Sequence, residues 1–196
     1  MEQHVVTLFH RSIEATMNAG EFLAPLIAEA SEMLVHTLLS ENKVLACGNG
    51  VSGAVAQTLV TNLVSGFQRE RPSLPALAIN ADSALGTAIA QNHGGAQTYA
   101  KPVHALGQPG DLLVIFSSDG RDSNLVQAVR AARDREMSVL AFTGADGGDC
   151  AALLDNHDIE LRVPEVDPAA VHQVHMLTVF TLCDLVDSSL FGSYEE

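Results

Sequence analysis

Apolar residues recur every three or four positions from Val5 to about Asn42, first as Val5, Leu8, Phe9 and Ile13, then as Leu26, Ile27, Ala30, Leu34 and Leu38. That spacing predicts two amphipathic helices. KVLAC, from Lys43 to Cys47, is a short β-rich run that meets Gly48, Asn49 and Gly50, and Val51 to Phe67 returns to helical spacing. Further strands are expected at Ala76 to Asn80, Asp111 to Phe116, Ser138 to Thr143 and Asp158 to Val163. Helical segments fall between them, over Asp82 to Leu106 and up to Glu136. Asp167 and Pro168 form an N-cap and N1 pair that opens a long final helix reaching about Phe191.

Strands that alternate with helices and carry no hairpin signal imply right-handed crossovers and a parallel sheet covered on both faces. The expected class is α/β, a three-layer αβα sandwich around about five strands. One domain over residues 1–196 is expected, with two N-terminal helices in 1–42, the α/β core in 43–166 and the last helix in 167–191. In such sheets ligands bind beyond the carboxyl ends of the strands, here the loops Gly48 to Gly53, Ser117 to Asn124 and Gly144 to Asp149.

Composition narrows the function. Apolar residues make up 47% of the chain and charged residues 17%. A mean hydropathy of +0.17 predicts that apolar surface is buried between subunits. Twenty-four acids against ten Lys and Arg give a net charge of −14. That field opposes direct nucleic-acid binding and anionic membranes, and suits either a basic protein partner or simple solubility. Cys47, Cys150 and Cys183 are few, spread out and set among apolar residues, as expected of buried, reduced thiols in a cytoplasmic protein. MEQHVVTLFHRS reads as neither a secretory leader nor a membrane span.

In CGNGVSG the residues Asn49, Gly50 and Ser52 lie between a strand and a helix, where backbone N–H groups and the helix dipole favour an anion. Turn glycines needed only for positive φ would look the same. Ser117, Ser118, Asp119, Gly120, Arg121 and Asp122 follow a second strand in the same way, so the two loops could enclose one phosphorylated sugar.

The pairing of CGNGxS with a later S-[ST]-S-G-x-S-like loop, together with RPSLPALAIN, FTGADGG and a helical HxxH, resembles the phosphoheptose isomerase branch of the sugar-isomerase (SIS) family. The resemblance spans nearly the whole chain. It implies serine-rich loops that hold a sugar phosphate, and a His and a Glu on the first loop's helix that join a Gln and a His on the last helix in binding zinc and isomerising the sugar. Isomerisation needs a base that moves a proton between adjacent carbons and a group that polarises the carbonyl.

Matched onto those positions, this chain has Thr58 and Asn62 for the His and Glu, His172 for the Gln, Phe180 for the distal His, and Asn92 and Ala169 where acids are expected. The resemblance therefore implies a degenerate centre with no catalytic residue, no metal and no cofactor. His172 and His175 could still share an ion, or be structural; His93 has no identifiable partner acid or base. Asp119 and Asp122 replace hydroxyls, and a carboxylate about 4 Å from a phosphate costs about 4 kcal/mol at a dielectric near 20. A sugar phosphate should then bind weakly, unless the acids only cap the following helix or Arg121 offsets them.

The tail CDLVDSSLF is similar to that of the DnaA initiator-associating branch of the same family. That resemblance implies a homotetramer, a DnaA-type initiator protein as partner, and Leu190 and Phe191 as the contacts, although both could equally finish the core. The expected function is a noncatalytic adaptor that promotes initiator assembly at the origin. The alternatives are an isomerase acting on sedoheptulose 7-phosphate and a sugar-phosphate sensor.

Overall fold

The computed structural model describes residues 1–80 and 82–192. Its elements are α1 (Glu2–Leu39), β1 (Val44–Gly48), α2 (Gly50–Ser65), β2 (Ala76–Ala78), α3 (Ser83–His93), a 3₁₀ turn (Gly95–Gln97), α4 (Ala100–Leu106), β3 (Leu112–Phe116), α5 (Ser123–Asp134), β4 (Ser138–Gly144), α6 (Gly148–Ala151), β5 (Ile159–Val163) and α7 (Pro168–Phe191). The five strands pair in the order β2-β1-β3-β4-β5, and every pairing is parallel.

Alternation along the strands divides the core into two layers. Val44, Ala46, Val114, Phe116, Leu140 and Phe142 face α1, α2 and α7, where they meet Leu34, Leu59, Leu63, Val179 and Leu182. Leu45, Cys47, Leu113, Ile115, Val139 and Ala141 face the other way, against Tyr99, Val103, Leu125, Ala128 and Val129 of α4, α5 and the turn before α4. Strands buried on both faces read as continuous apolar runs rather than alternating ones, as LLVIF does. This is the expected three-layer arrangement.

The N-terminal region differs from expectation. One helix of 38 residues replaces the two predicted, running through Gly20 and Pro25 without interruption. Proline in a helix loses one backbone hydrogen bond, and glycine costs about 1 kcal/mol against alanine. Packing overrides both: Ala19 and Leu23 are buried against Val171, Val174 and Val163. Ala15 is buried and Ser12 bonds Gln173 of α7, while Val5, Leu8, Phe9, Ile13, Met17 and Phe22 of the same helix are exposed. By length and composition α1 and α7 could each cross a bilayer. In this fold they pack against each other and the sheet, and their shared apolar face is core.

β2 also ends earlier than expected. Ile79 still donates to the Ala46 carbonyl, but Asn80 turns away and its amide donates to Gly53, which holds the β2 edge to the first loop.

A buried ion pair ties the end of α7 to the segment after α2. Arg71 Nε donates to Asp187 Oδ1 at 2.6 Å, with both side chains almost fully enclosed. The remaining guanidinium donors reach the Leu63, Asn62 and Pro72 carbonyls. Removing one partner strands a buried charge, which costs far more than the pair contributes. Asp187→Ala is expected to lower stability by about 3–5 kcal/mol in urea denaturation, and Arg71→Met with Asp187→Leu to recover most of it.

Candidate functional site

With strand order 2-1-3-4-5, the reversal of connection lies between β1 and β3, the position at which open parallel sheets form a ligand crevice. Both glycine-containing loops therefore leave the sheet side by side, one into α2 and the other into α5. The first is packed closely enough to demand glycine. A Cβ on Gly48 would sit 2.7 Å from the Ser52 backbone and 2.9 Å from the Phe116 carbonyl, and one on Gly53 would sit 2.7 Å from the Gly48 carbonyl. In the second loop Gly120 has φ +69°, and a Cβ there would lie 1.9 Å from the Gly147 carbonyl.

Asn49 is the N-cap of α2, yet its side chain makes no cap bond. It exchanges two hydrogen bonds with Asn124 across the loops, Nδ2 to Oδ1 and Oδ1 from Nδ2, each 2.9 Å. The Tyr99 hydroxyl lies within reach of both Asn49 Oδ1 and the Gly48 carbonyl, at 2.9 and 2.7 Å. Burial pushes that phenol up to about 12, so it stays a donor at physiological pH. Neither Tyr99 nor Asn124 carries a signal in the sequence, because contacts spanning 50 and 75 residues leave no local spacing.

Ser52 is buried at the start of α2 beside Gly50, with its Oγ 3.1 Å from His172 Nε2. His172, expected at the degenerate Gln position, is thus brought to the first loop. Burial lowers its pKa. In the second loop Ser117 donates to Asp122 Oδ2 at 3.0 Å and also approaches Asp119 Oδ1. The Gly120 N–H donates to Ser117 Oγ, and the Arg121 N–H to Asp119 Oδ1. Asp122 occupies the N-cap position of α5 without making a side-chain cap bond. The capping alternative therefore does not describe it. Arg121 turns outward to an exposed, two-bonded pair with Asp146 at 2.7 Å. Ser118 is half-buried between these contacts.

The other residues that the resemblance sets at the family's catalytic positions make local contacts. Thr58 donates to the Ala54 carbonyl one turn back. Asn62 lies beside the Cys183 thiol, which burial raises to about 12. Phe180 stacks on Phe67 at 5.9 Å between ring centres. Ala169 is an exposed residue in the first turn of α7, and Asn92 and His93 are exposed at the end of α3. Among the described residues no three His, Cys, Asp or Glu side chains converge as a metal site requires.

His175 is separate from the pocket's polar groups. It is buried beneath β4, Nε2 donating to the Thr143 carbonyl at 3.0 Å and the ring standing edge-on to Phe116 and Phe142. With Nε2 carrying the proton, Nδ1 is a buried acceptor without a partner. It therefore does not pair with His172 as the HxxH spacing would permit.

Leu190 and Phe191 are half-buried and packed against the core layer that contains α7. The Arg69 guanidinium donates to the Phe191 and Gly192 carbonyls, and it and Arg71 lie 6.0 and 5.8 Å from the Phe191 ring.

Burial lowers the His175 pKa to about 4 from an ordinary 6.5; the Thr143 bond opposes this weakly and nearby His172 adds to it. The unfolded chain then binds the proton first as the pH falls, so this contribution to stability is complete above 6.5 and lost between 6.5 and about 4. The loss is of order 3 kcal/mol. Asp111 acts in a separate, lower window: burial raises its pKa, but hydrogen bonds from Lys43, Gln108 and Asn42 outweigh this and hold it below 3.8, so its contribution is lost only below that value. Urea midpoints measured from pH 7.5 to 4.5 should fall steeply for the native chain and markedly less for His175→Gln.

Residues 9–144 match the SIS domain family. The chain is 46% identical to a phosphoheptose isomerase of Chromohalobacter salexigens, covering 99% of this chain and 98% of that one. It is also 46% identical to the DnaA initiator-associating protein DiaA of Photorhabdus laumondii subsp. laumondii, over the full length of both. Among solved structures, phosphoheptose isomerase GmhA of Neisseria gonorrhoeae superposes with a TM-score of 0.91 at 36% identity, over 95% of this chain and 98% of that one. A phosphoheptose isomerase from Francisella tularensis gives 0.91 at 37% identity, over 96% and 98%.

Proposed function

The chain belongs to the SIS domain family, and we propose that within it this protein is a noncatalytic adaptor that associates with a DnaA-type initiator in the cytoplasm. The observation that carries this reading is the state of the matched catalytic positions. Thr58, Asn62, Phe180 and Ala169 supply no general base and no metal ligand, and their side chains are engaged in helix bonding, core contact or ring stacking, or have no functional group at all. A proton transfer between carbons needs a group of suitable pKa within about 3 Å of the reacting atom. Sequence identity alone does not separate the two kinds of relative.

The adaptor reading accounts for two other features. The exposed apolar row of α1, from Val5 to Phe22, together with the apolar groove along Ala19, Leu23, Val174 and Leu177, is the face that further copies of the chain would cover in a homotetramer. Four copies of one surface raise the effective concentration for an initiator that itself assembles in multiple copies. At the C-terminus Leu190 and Phe191 form a partly exposed apolar edge held by Arg69, on a chain of net charge −14 that suits a basic partner. Immobilised chain should capture purified DnaA. Replacing Leu190 and Phe191 by Ala should reduce capture at least tenfold while light scattering shows the same subunit number; undiminished capture would contradict this assignment of the contact.

One observation favours the second reading, a phosphoheptose isomerase with rearranged chemistry: His172 stands 3.1 Å from Ser52 in the first loop. Turnover of sedoheptulose 7-phosphate should be absent with and without added zinc. Activity that disappears in His172→Ala would establish the isomerase instead.

A further inference from the structure

A loop that binds a phosphate ester presents donors to it: hydroxyls, backbone N–H groups and the start of a helix. The second loop of this chain has such donors, and three of them already have an acceptor within the protein. The Ser117 hydroxyl, 1% exposed, is given to Asp122. The Gly120 N–H is given to Ser117 Oγ, and the Arg121 N–H to Asp119. The cation in the loop, Arg121, is already paired with Asp146 and donates to the Asp119 carbonyl at 3.1 Å. The reciprocal amide bonds of Asn49 and Asn124 hold this loop to the first one. Two carboxylates of the loop's own thus stand at the crevice, Asp122 half-buried and Asp119 exposed.

We infer that Asp119 and Asp122 are specificity-determining residues, built-in anions that occupy donors of the second loop and exclude phosphate monoesters from the crevice. Two effects act together. An incoming phosphate would have to displace the Asp122 carboxylate from a buried hydroxyl, and it would sit beside two negative charges while the one neighbouring guanidinium, Arg121, is already neutralised by Asp146. At separations near 4 Å and a dielectric near 20 the repulsion alone corresponds to about a thousandfold in affinity. The second loop keeps its shape because the carboxylates accept within it the bonds that an anion would accept, and the Asn49–Asn124 pair holds it to the first loop, so its order does not require a ligand. This inference is independent of the initiator reading, since it concerns only the loops at β1 and β3.

The test is titration calorimetry with sedoheptulose 7-phosphate and, separately, inorganic phosphate, on the full-length native chain, on Asp122→Asn and on Asp119→Ser with Asp122→Ser. Asp122→Asn preserves shape and so guards against a double variant that fails to fold. The expected result is binding at least tenfold tighter for Asp122→Asn and at least a hundredfold tighter for the double variant than for the native chain, with unphosphorylated sedoheptulose gaining nothing in either. The inference is overturned if the native chain binds sedoheptulose 7-phosphate as tightly as the variants do. It is equally overturned if Asp122→Asn, folded by circular dichroism, shows no gain, or if unphosphorylated sugar gains as much as the phosphate ester.

Discussion

Strands β1 and β3 lie in register, Gly48 opposite Phe116, and the backbone leaving β1 passes so close to Ser52 and to the Phe116 carbonyl that no side chain fits at Gly48. This close approach governs the rest of the crevice. It sets the first turn of α2 against the end of β3, so that Asn49 reaches Asn124 and Ser52 reaches His172 across the sheet's reversal point. It is also indifferent to chemistry. Backbone packing of this kind preserves the form of a ligand site whether or not the side chains around it can still act, which is why a chain can keep the sugar-isomerase fold at a TM-score of 0.91 while Thr58, Asn62 and Phe180 stand at the matched positions.

Much of the fold was legible in the sequence for the same reason that it is stable. β1, β3 and β4 are continuous apolar runs bounded by turn residues, and parallel strands covered on both faces must look like that. The misreading at the N-terminus has a definite cause: Gly20 and Pro25 are local signals against helix, and the contacts that outweigh them, Ala19 and Leu23 on α7, join residues about 150 positions apart and are invisible to a periodicity argument. The shortened β2 has a similar origin, since Asn80 leaves the strand to bond Gly53.

The site was legible to a lesser degree. Loop positions and the unusual acids at Asp119 and Asp122 can be read from residue identity at a strand end. What those acids bond is a matter of rotamer and loop path: Asp122 sits where a helix cap belongs and yet accepts from Ser117 instead. The HxxH spacing suggested a shared role for His172 and His175, whereas the helix sends one toward the first loop and the other beneath β4, into contact with Phe142. Spacing places residues on a helix; only packing decides what each one faces.

The decisive question for a crevice that has kept its form is whether it can still move a proton. Solvent deuterium uptake reports that step alone, even where no net isomerisation occurs. Sedoheptulose 7-phosphate incubated in D₂O with the protein at high concentration, with zinc supplied, should incorporate no deuterium beyond the protein-free control at the carbon beside its carbonyl. Uptake above that control, abolished by His172→Ala, would show that the crevice retains a working base and would contradict the noncatalytic reading.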